Sequence, residues 1–260
     1  VSSQFISSLL IISPYAKKDV EIIVENEMVS KNYVDMTVDL MEKFGVDVKR
    51  DSYKKFGVKA GQKYSAKRYA IPADWSSANY FLAAAAIVPG KIKATGLDLS
   101  QKGEAEFTGI LKKMGCRVNR NKNSIEVIGN KKLNAVEVDM STMPDSVQTL
   151  AAVAAFAKGI TRIKNISNLK YKESDRINDT AKELKKLGIK ATAKDDELTI
   201  EGGNPSSAAI DPHNDHRMAM SFALIGLKTG IKIKNQECVA KSFPNFWEKL
   251  KEIGVEIKKP

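Results

Sequence analysis

The hydrophobic pattern of this chain repeats on two scales. Four segments begin polar and become small and apolar: SSQFISSLLII (2–12), DWSSANYFLAAAAIV (74–88), PDSVQTLAAVAAFA (144–157) and NDHRMAMSFALIGL (214–227). They are apolar on nearly every side, which predicts helices that are buried rather than surface-lying. Each is followed by a basic, β-branched run, VEIIVEN, GKIKATG, GITRIKN or GIKIKNQ, that reads as a strand. A second ending recurs in phase with the first: LMEKFGVDV (40–48), LKKMGCRV (111–118), LKKLGIKA (184–191) and LKEIGVEI (250–257). Each predicts an amphipathic helix closed by glycine in the left-handed C′ position and followed by a strand.

Gly45, Gly115, Gly188 and Gly254 lie about seventy residues apart, so the chain is an array of one supersecondary unit. The unit reads as buried helix, strand, loop, amphipathic helix, glycine, strand, often with a closing strand such as NSIEVIGN (123–130) or DELTIEGG (196–203). Four copies begin, and the last lacks its closing strand. The predicted class is α/β, with sheets packed over helices. The stretch GVKAGQKYSAKRYAIPAD (57–74) has no helical period and carries Gly, Lys and Pro, so a domain boundary is expected there, with residues 1–70 in one domain and 71–260 in a second.

Composition narrows the function. Hydrophobic residues make up 43% of the 260 positions, enough for a real core. The longest apolar runs, Phe81–Val88 and Leu150–Ala157, are too short to span a bilayer. Net charge is +11, which favours anionic partners. The lysines are spread along the chain and aromatics are 7% without interleaving a basic stripe, which argues against nucleic acid. Cys116 and Cys238 form no CxxC, and His213 and His216 offer no zinc spacing. A reducing cytoplasm is the expected setting, with Cys116 a core residue.

The repeat aligns chemistry with helix starts, where free N–H groups and the dipole favour anions. Simple capping explains Ser76, Ser100 and Ser146. Lys172-Glu173-Ser174-Asp175-Arg176 and Asn214-Asp215-His216-Arg217 carry more, because cations there oppose the dipole. Lys241 precedes Ser-Phe-Pro, with Pro244 suited to a first helical turn. Each alone reads equally as a structural ion pair; three equivalent cationic starts point to an anion site.

These motifs carry a resemblance. YKESDRI (171–177), NDHRMAM (214–220), AKSFPNFW (240–247), DWSSANYFLAAAA (74–86) and the opening SSQF resemble, in order, the motif set of the 5-enolpyruvylshikimate-3-phosphate synthase family. The sister family acting on a UDP-amino sugar shares the fold but lacks the KESDR run. The resemblance implies an inside-out α/β barrel of two pseudo-threefold domains, with residues 1–70 the tail of the first and 71–260 nearly three units of the second. It implies transfer of the enolpyruvyl group of phosphoenolpyruvate to shikimate 3-phosphate with release of phosphate, without metal or organic cofactor.

By the same resemblance Ser2, Ser3, Ser30, Asn168 and Lys172 hold the shikimate phosphate, Gln4 touches both substrates and Tyr33 lines the shikimate site. Arg176, Arg217 and Lys241 hold phosphoenolpyruvate, with His216 either orienting Arg217 or serving the helix start. Asp145 is the implied acceptor of the shikimate hydroxyl proton and the other carboxylate, Glu173, the donor to the methylene carbon. Lys172 and Arg176 beside Glu173 favour its anion, whereas a donor must hold a proton. The resemblance further implies an upstream segment bearing a Lys and an Arg for phosphoenolpyruvate, an enzyme that is monomeric when complete, and a chain inactive or nearly so by itself. The alternatives are a UDP-N-acetylglucosamine enolpyruvyl transferase and a basic RNA-binding module indifferent to Asp145 and Glu173.

Overall fold

The computed structural model describes residues 3–28 and 30–258. The chain divides into two compact units, Val1–Ile71 and Pro72–Pro260. The first holds helices α1 (Ser3–Ile12) and α2 (Lys31–Lys43) and an antiparallel sheet in which strand 55–58 lies between 20–23 and 48–51. Its core gathers Leu10, Val34, Val38, Met41, Val46 and Phe56, and Thr37 donates a 2.8 Å hydrogen bond to Ser7 to tie α2 to α1.

The second unit runs α3 (Trp75–Ile87), α4 (Phe107–Lys113), α5 (Val147–Ala154), α6 (Arg176–Lys186), α7 (His216–Thr229) and α8 (Phe246–Glu252). One sheet places strand 124–128 between 91–95 and 117–121. Another places 197–201 between 190–193 and 160–164, with 137–139 added in parallel. In all three larger sheets the closing strand sits between the strand after the apolar helix and the strand after the glycine, so the sequence period is a structural period. Among the described residues no helix is long and apolar enough to cross a membrane.

Helices α3, α5 and α7 pack on one another and are buried along their length. Ala83–Ala86 and Ala151, Ala152, Ala154 and Ala155 leave little side-chain bulk between the backbones, so the three approach closely. The first copy departs from this. Phe5 and Ile12 of α1 are 64% and 62% exposed, where burial was expected. Among the described residues α3, α5 and α7 cover one another, whereas α1 packs on α2 and shares a core with one sheet of its unit.

The four glycines after the amphipathic helices have positive φ, between 79° and 108°. Residues 255–258, after Gly254, form no strand. A second pair of glycines marks another repeat constraint. A Cβ on Gly129 would lie 1.8 Å from the Ala85 carbonyl oxygen, and one on Gly202 would lie 2.0 Å from that of Ala157. Backbone meets backbone there, so neither contact relaxes cheaply. Gly202→Ala is expected to destabilise by about 3 kcal/mol, read as a fall in the thermal midpoint; an unchanged midpoint would rule out this tight fit.

Gln148 of α5 is fully buried, and neither atom of its amide has a hydrogen-bond partner among the described residues. An unpaired buried amide costs more than a thioether of similar size. Gln148→Met is therefore expected to stabilise the chain by about 1 kcal/mol, measured by urea unfolding, and a loss of stability would contradict it.

Candidate active site

Two helix starts and two connecting segments of the second unit converge on a polar cluster. Arg176 is the first residue of α6, after Asp175, whose carboxylate caps the helix by accepting the Asn178 N–H at 3.2 Å. Arg217 is the second residue of α7, after Asp215, which accepts the Arg217 N–H at 2.8 Å. Asp145 lies in the short 3-10 turn Pro144–Ser146 that leads into α5. Lys241 ends the 3-10 segment Gln236–Lys241; it does not open a helix, and α8 begins five residues later, at Phe246. Lys172 and Glu173 likewise precede α6 and stand outside its first turn, because Asp175 is the residue equipped to cap.

Arg176 is the hub. It is 1% exposed. Its Nε donates to Asp215 at 2.7 Å, its Nη1 to Asp145 at 3.2 Å and its Nη2 to Glu173 at 2.8 Å. Arg217 donates through Nη2 to the second oxygen of Asp145 at 2.8 Å and through Nη1 to the Tyr80 hydroxyl at 3.3 Å. Lys241 donates to the second oxygen of Glu173 at 2.6 Å. Asp145 is thus held between two guanidiniums, and Glu173 between a guanidinium and an ammonium. The conflict between cations and helix dipoles is relieved here by the protein's own carboxylates, where the sequence suggested a bound anion.

The electrostatics separate the carboxyl groups. Glu173 is pushed up by burial but pulled further down by its bond to Lys241 and the charge of Arg176, and reaches about 2. This folded value lies below the ordinary 4.5, so the pairing stabilises the fold above about pH 4.5 and is lost as pH falls through about 2. Glu104 behaves oppositely. Burial, reinforced by the charge of Asp145, raises it to about 7. Stability linked to Glu104 is full below about pH 4.5 and declines as pH rises through about 7. Burial also raises the Tyr80 hydroxyl to about 12, so it keeps its proton. His216 is pushed down by burial and then by Arg217; its Nδ1 lies 3.8 Å from Asp215 at the start of α7.

The remaining predicted residues are distributed as follows. Asn168 lies in the 3-10 turn Ser167–Tyr171 and Lys172 directly follows it; both are half-buried, and neither forms a hydrogen bond through its side chain or an ion pair with a described residue. Ser3, Gln4, Ser30 and Tyr33 belong to the first unit, with Ser3 and Ser30 buried and Ser30 left-handed at φ 55°. Ser2 lies outside the described residues. The expected capping serines do not cap. Asp74 accepts the N–H groups of Ser76 and Ser77, Asp98 accepts that of Ser100, and the Ser146 hydroxyl donates to Glu104.

Sequence reasoning missed Asp215 as a direct partner of Arg176, and it missed Tyr80 and Glu104 altogether. Asp215 was visible beside Arg217, but its partner is 39 positions away. Glu104 carried no signal beyond a charge in a mixed stretch. No group of three or more His, Cys, Asp or Glu suited to a metal ion occurs among the described residues.

Comparison with known proteins gives this arrangement a family. The EPSP synthase (3-phosphoshikimate 1-carboxyvinyltransferase) family profile matches residues 1–250. The chain is 43% identical over 252 residues to a 3-phosphoshikimate 1-carboxyvinyltransferase of Methanoculleus marisnigri, covering 96% of this chain and 60% of that protein. Against a protein of the same name from Buchnera aphidicola subsp. Baizongia pistaciae it is 45% identical, covering 97% of this chain and 60% of that one. The solved EPSP synthase of Acinetobacter baumannii superposes with a TM-score of 0.84 at 29% identity, over 99% of this chain and 62% of that one. The enolpyruvyl transferase NikO of Streptomyces tendae, at 19% identity and a TM-score of 0.75, shares the fold. These likenesses do not favour a UDP-sugar transferase or an RNA-binding module. They establish that the chain, which spans about 60% of the length of the curated relatives it matches, belongs to the EPSP synthase family.

Proposed function

We propose that this chain supplies part of the phosphoenolpyruvate site and both proton-transfer groups of a 3-phosphoshikimate 1-carboxyvinyltransferase. The observation that carries this reading is the cross-linking of Asp145 and Glu173 through Arg176, with Arg217 and Lys241 each bonded to one of the two carboxylates. Arginine grips a carboxylate or phosphate through paired donors, and lysine adds a point charge.

The cluster bears on a tension in the chemistry. Glu173 must give a proton to the methylene carbon of phosphoenolpyruvate, yet here it is held as an anion by Arg176 and Lys241. An anionic substrate competes for those same two cations. Binding therefore strips Glu173 of its partners and brings negative charge beside it, and both changes raise its proton affinity. Glu173 becomes a competent donor when substrate is present. Asp145, kept between Arg176 and Arg217, accepts the hydroxyl proton of shikimate 3-phosphate as oxygen adds to the enol carbon. Loss of phosphate and of a methyl proton then restores the double bond. Two carboxyls in different settings take opposite roles.

Lys172 is a half-buried cation without an ion pair among the described residues, which suits it to the shikimate phosphate, with Asn168 nearby in sequence. Ser2, Ser3, Gln4, Ser30 and Tyr33 are assigned to shikimate 3-phosphate through the family resemblance, and a monomeric, cytoplasmic enzyme is part of the same proposal.

The test is phosphate release from phosphoenolpyruvate and shikimate 3-phosphate by this chain mixed with the N-terminal portion of the Methanoculleus marisnigri relative. Release that depends on shikimate 3-phosphate and on both pieces is expected. A mixture that associates, binds neither substrate and releases nothing would overturn the proposal. Lys241→Ala is expected to raise the Michaelis constant for phosphoenolpyruvate about tenfold, the effect of one charge-assisted bond, and an unchanged constant would remove Lys241 from the site.

A further inference from the structure

Behind Asp145 lies a buried polar node that neither capping nor core packing accounts for. Glu104, 7% exposed, belongs to the 3-10 turn Gly103–Glu106. Its carboxyl group accepts the backbone N–H of Asp145 at 3.0 Å and the hydroxyl of Ser146. The Ser146 hydroxyl accepts from the Asn79 amide at 2.9 Å, and the same amide donates to the Glu104 carbonyl oxygen at 2.8 Å. Two distant stretches of chain, around Asn79 and Glu104, thereby hold two consecutive residues, Asp145 by its backbone N–H and Ser146 by its hydroxyl. The first of them carries the side chain that reaches Arg176 and Arg217.

A neutral acceptor would hold the same N–H without the cost of burying a charge. A carboxyl group adds the ability to exist in two charge states. We propose that Glu104 is a positioning residue for Asp145: its buried carboxyl holds the Asp145 backbone N–H and the Ser146 hydroxyl, and it carries a proton rather than a charge beside the Asp145 side chain. This rests on the reading of Asp145 as proton acceptor.

Among the described residues the charged groups that act most on Glu104 are Asp145, which favours its neutral form, and Arg217, which opposes it; the Ser146 hydroxyl and the Asp145 N–H also oppose it. Two neighbouring carboxyls avoid double ionisation by protonating the more buried of the pair. With Glu104 neutral, Asp145, Glu173 and Asp215 balance Arg176, Arg217 and Lys241. Ionising Glu104 adds a negative charge beside a site that must admit an anion. Anionic substrate therefore binds more weakly as pH rises through neutrality.

The experiment is a carbon-13 titration of side-chain carboxyls in this chain, comparing wild type, Glu104→Gln and Asp145→Asn, with circular dichroism to verify folding. A resonance titrating near neutral pH is expected, absent from Glu104→Gln and moved down by about one pH unit in Asp145→Asn. A Glu104 carboxyl titrating in the ordinary carboxylate range, or indifferent to Asp145→Asn, would overturn the inference. In the two-piece mixture, the Michaelis constant for phosphoenolpyruvate is expected to rise about tenfold more between about pH 6 and pH 8 in wild type than in Glu104→Gln. Parallel profiles would overturn the proposed charge effect. A wild-type mixture that associates, binds neither substrate and releases no phosphate, with the Glu104–Asp145 coupling intact, would refute the assigned reaction and leave the clamp standing.

Discussion

Replacing Arg176 with methionine is expected to destabilise the chain by about 3–5 kcal/mol at neutral pH. The guanidinium is nearly inaccessible, and it bonds to three carboxylates from three parts of the chain. Methionine fills part of the volume but leaves Asp215, itself fully buried, without that counter-charge. An orphaned buried carboxylate costs its full desolvation, a larger quantity than the net worth of the bond it lost. The sign of the pH effect separates this account from simple loss of packing. Carboxylates deprived of Arg176 take up protons more readily in the folded state than in the unfolded chain. Their folded values rise, so the variant recovers stability as pH falls. Urea unfolding at about pH 7 and about pH 5 should show a smaller deficit at the lower pH. A deficit independent of pH would locate the loss in packing, and a deficit below about 1 kcal/mol would mean that the hub is held by other contacts.

The second large effect concerns turnover. Asp145→Asn and Glu173→Gln are each expected to reduce phosphate release in the two-piece mixture by about 10²–10⁴-fold, the usual worth of a positioned proton-transfer group. Their Michaelis constants should diverge. On the proposed reading substrate competes with Glu173 for Arg176 and Lys241, its two partners, so Glu173→Gln frees Lys241 and one arm of Arg176. The constant for phosphoenolpyruvate should stay level or fall while turnover collapses. Asp145→Asn leaves that competition in place, so it brings no such fall. If Glu173→Gln instead weakens phosphoenolpyruvate binding about tenfold with turnover intact, Glu173 is a substrate ligand and the donor is another group.

The sites of these predictions differ in how far the sequence exposes them. Lys172, Glu173, Arg176, Asp215, His216 and Arg217 stand out because they place charge where the sequence also predicts a helix start, and those starts recur with the glycine period. Asp145 stands out more weakly, as an acid before an apolar helix. Glu104 and Tyr80 do not stand out at all. One sits in a mixed polar stretch, and the other sits within the apolar run of α3. Their importance comes from what they face: Asp145 and Ser146 for Glu104, and Arg217, 137 positions away, for Tyr80.

The sequence by itself determines the unit. Alternation between small apolar runs and amphipathic helices sets the order of elements, and glycine alone tolerates the positive φ that ends each helix at little cost. Those are local properties, fixed by neighbours within a few residues, so they can be read along the chain. The tertiary structure decides the pairings. Which carboxylate meets Arg176, which helix is covered on all sides and which acid is buried enough to hold a proton depend on contacts tens of residues apart. A charged side chain has many possible partners in sequence and few in space. The buried helices α3, α5 and α7 bring those few together, whereas α1, with the same apolar pattern, packs on α2 and shares a core with one sheet among the described residues of its unit.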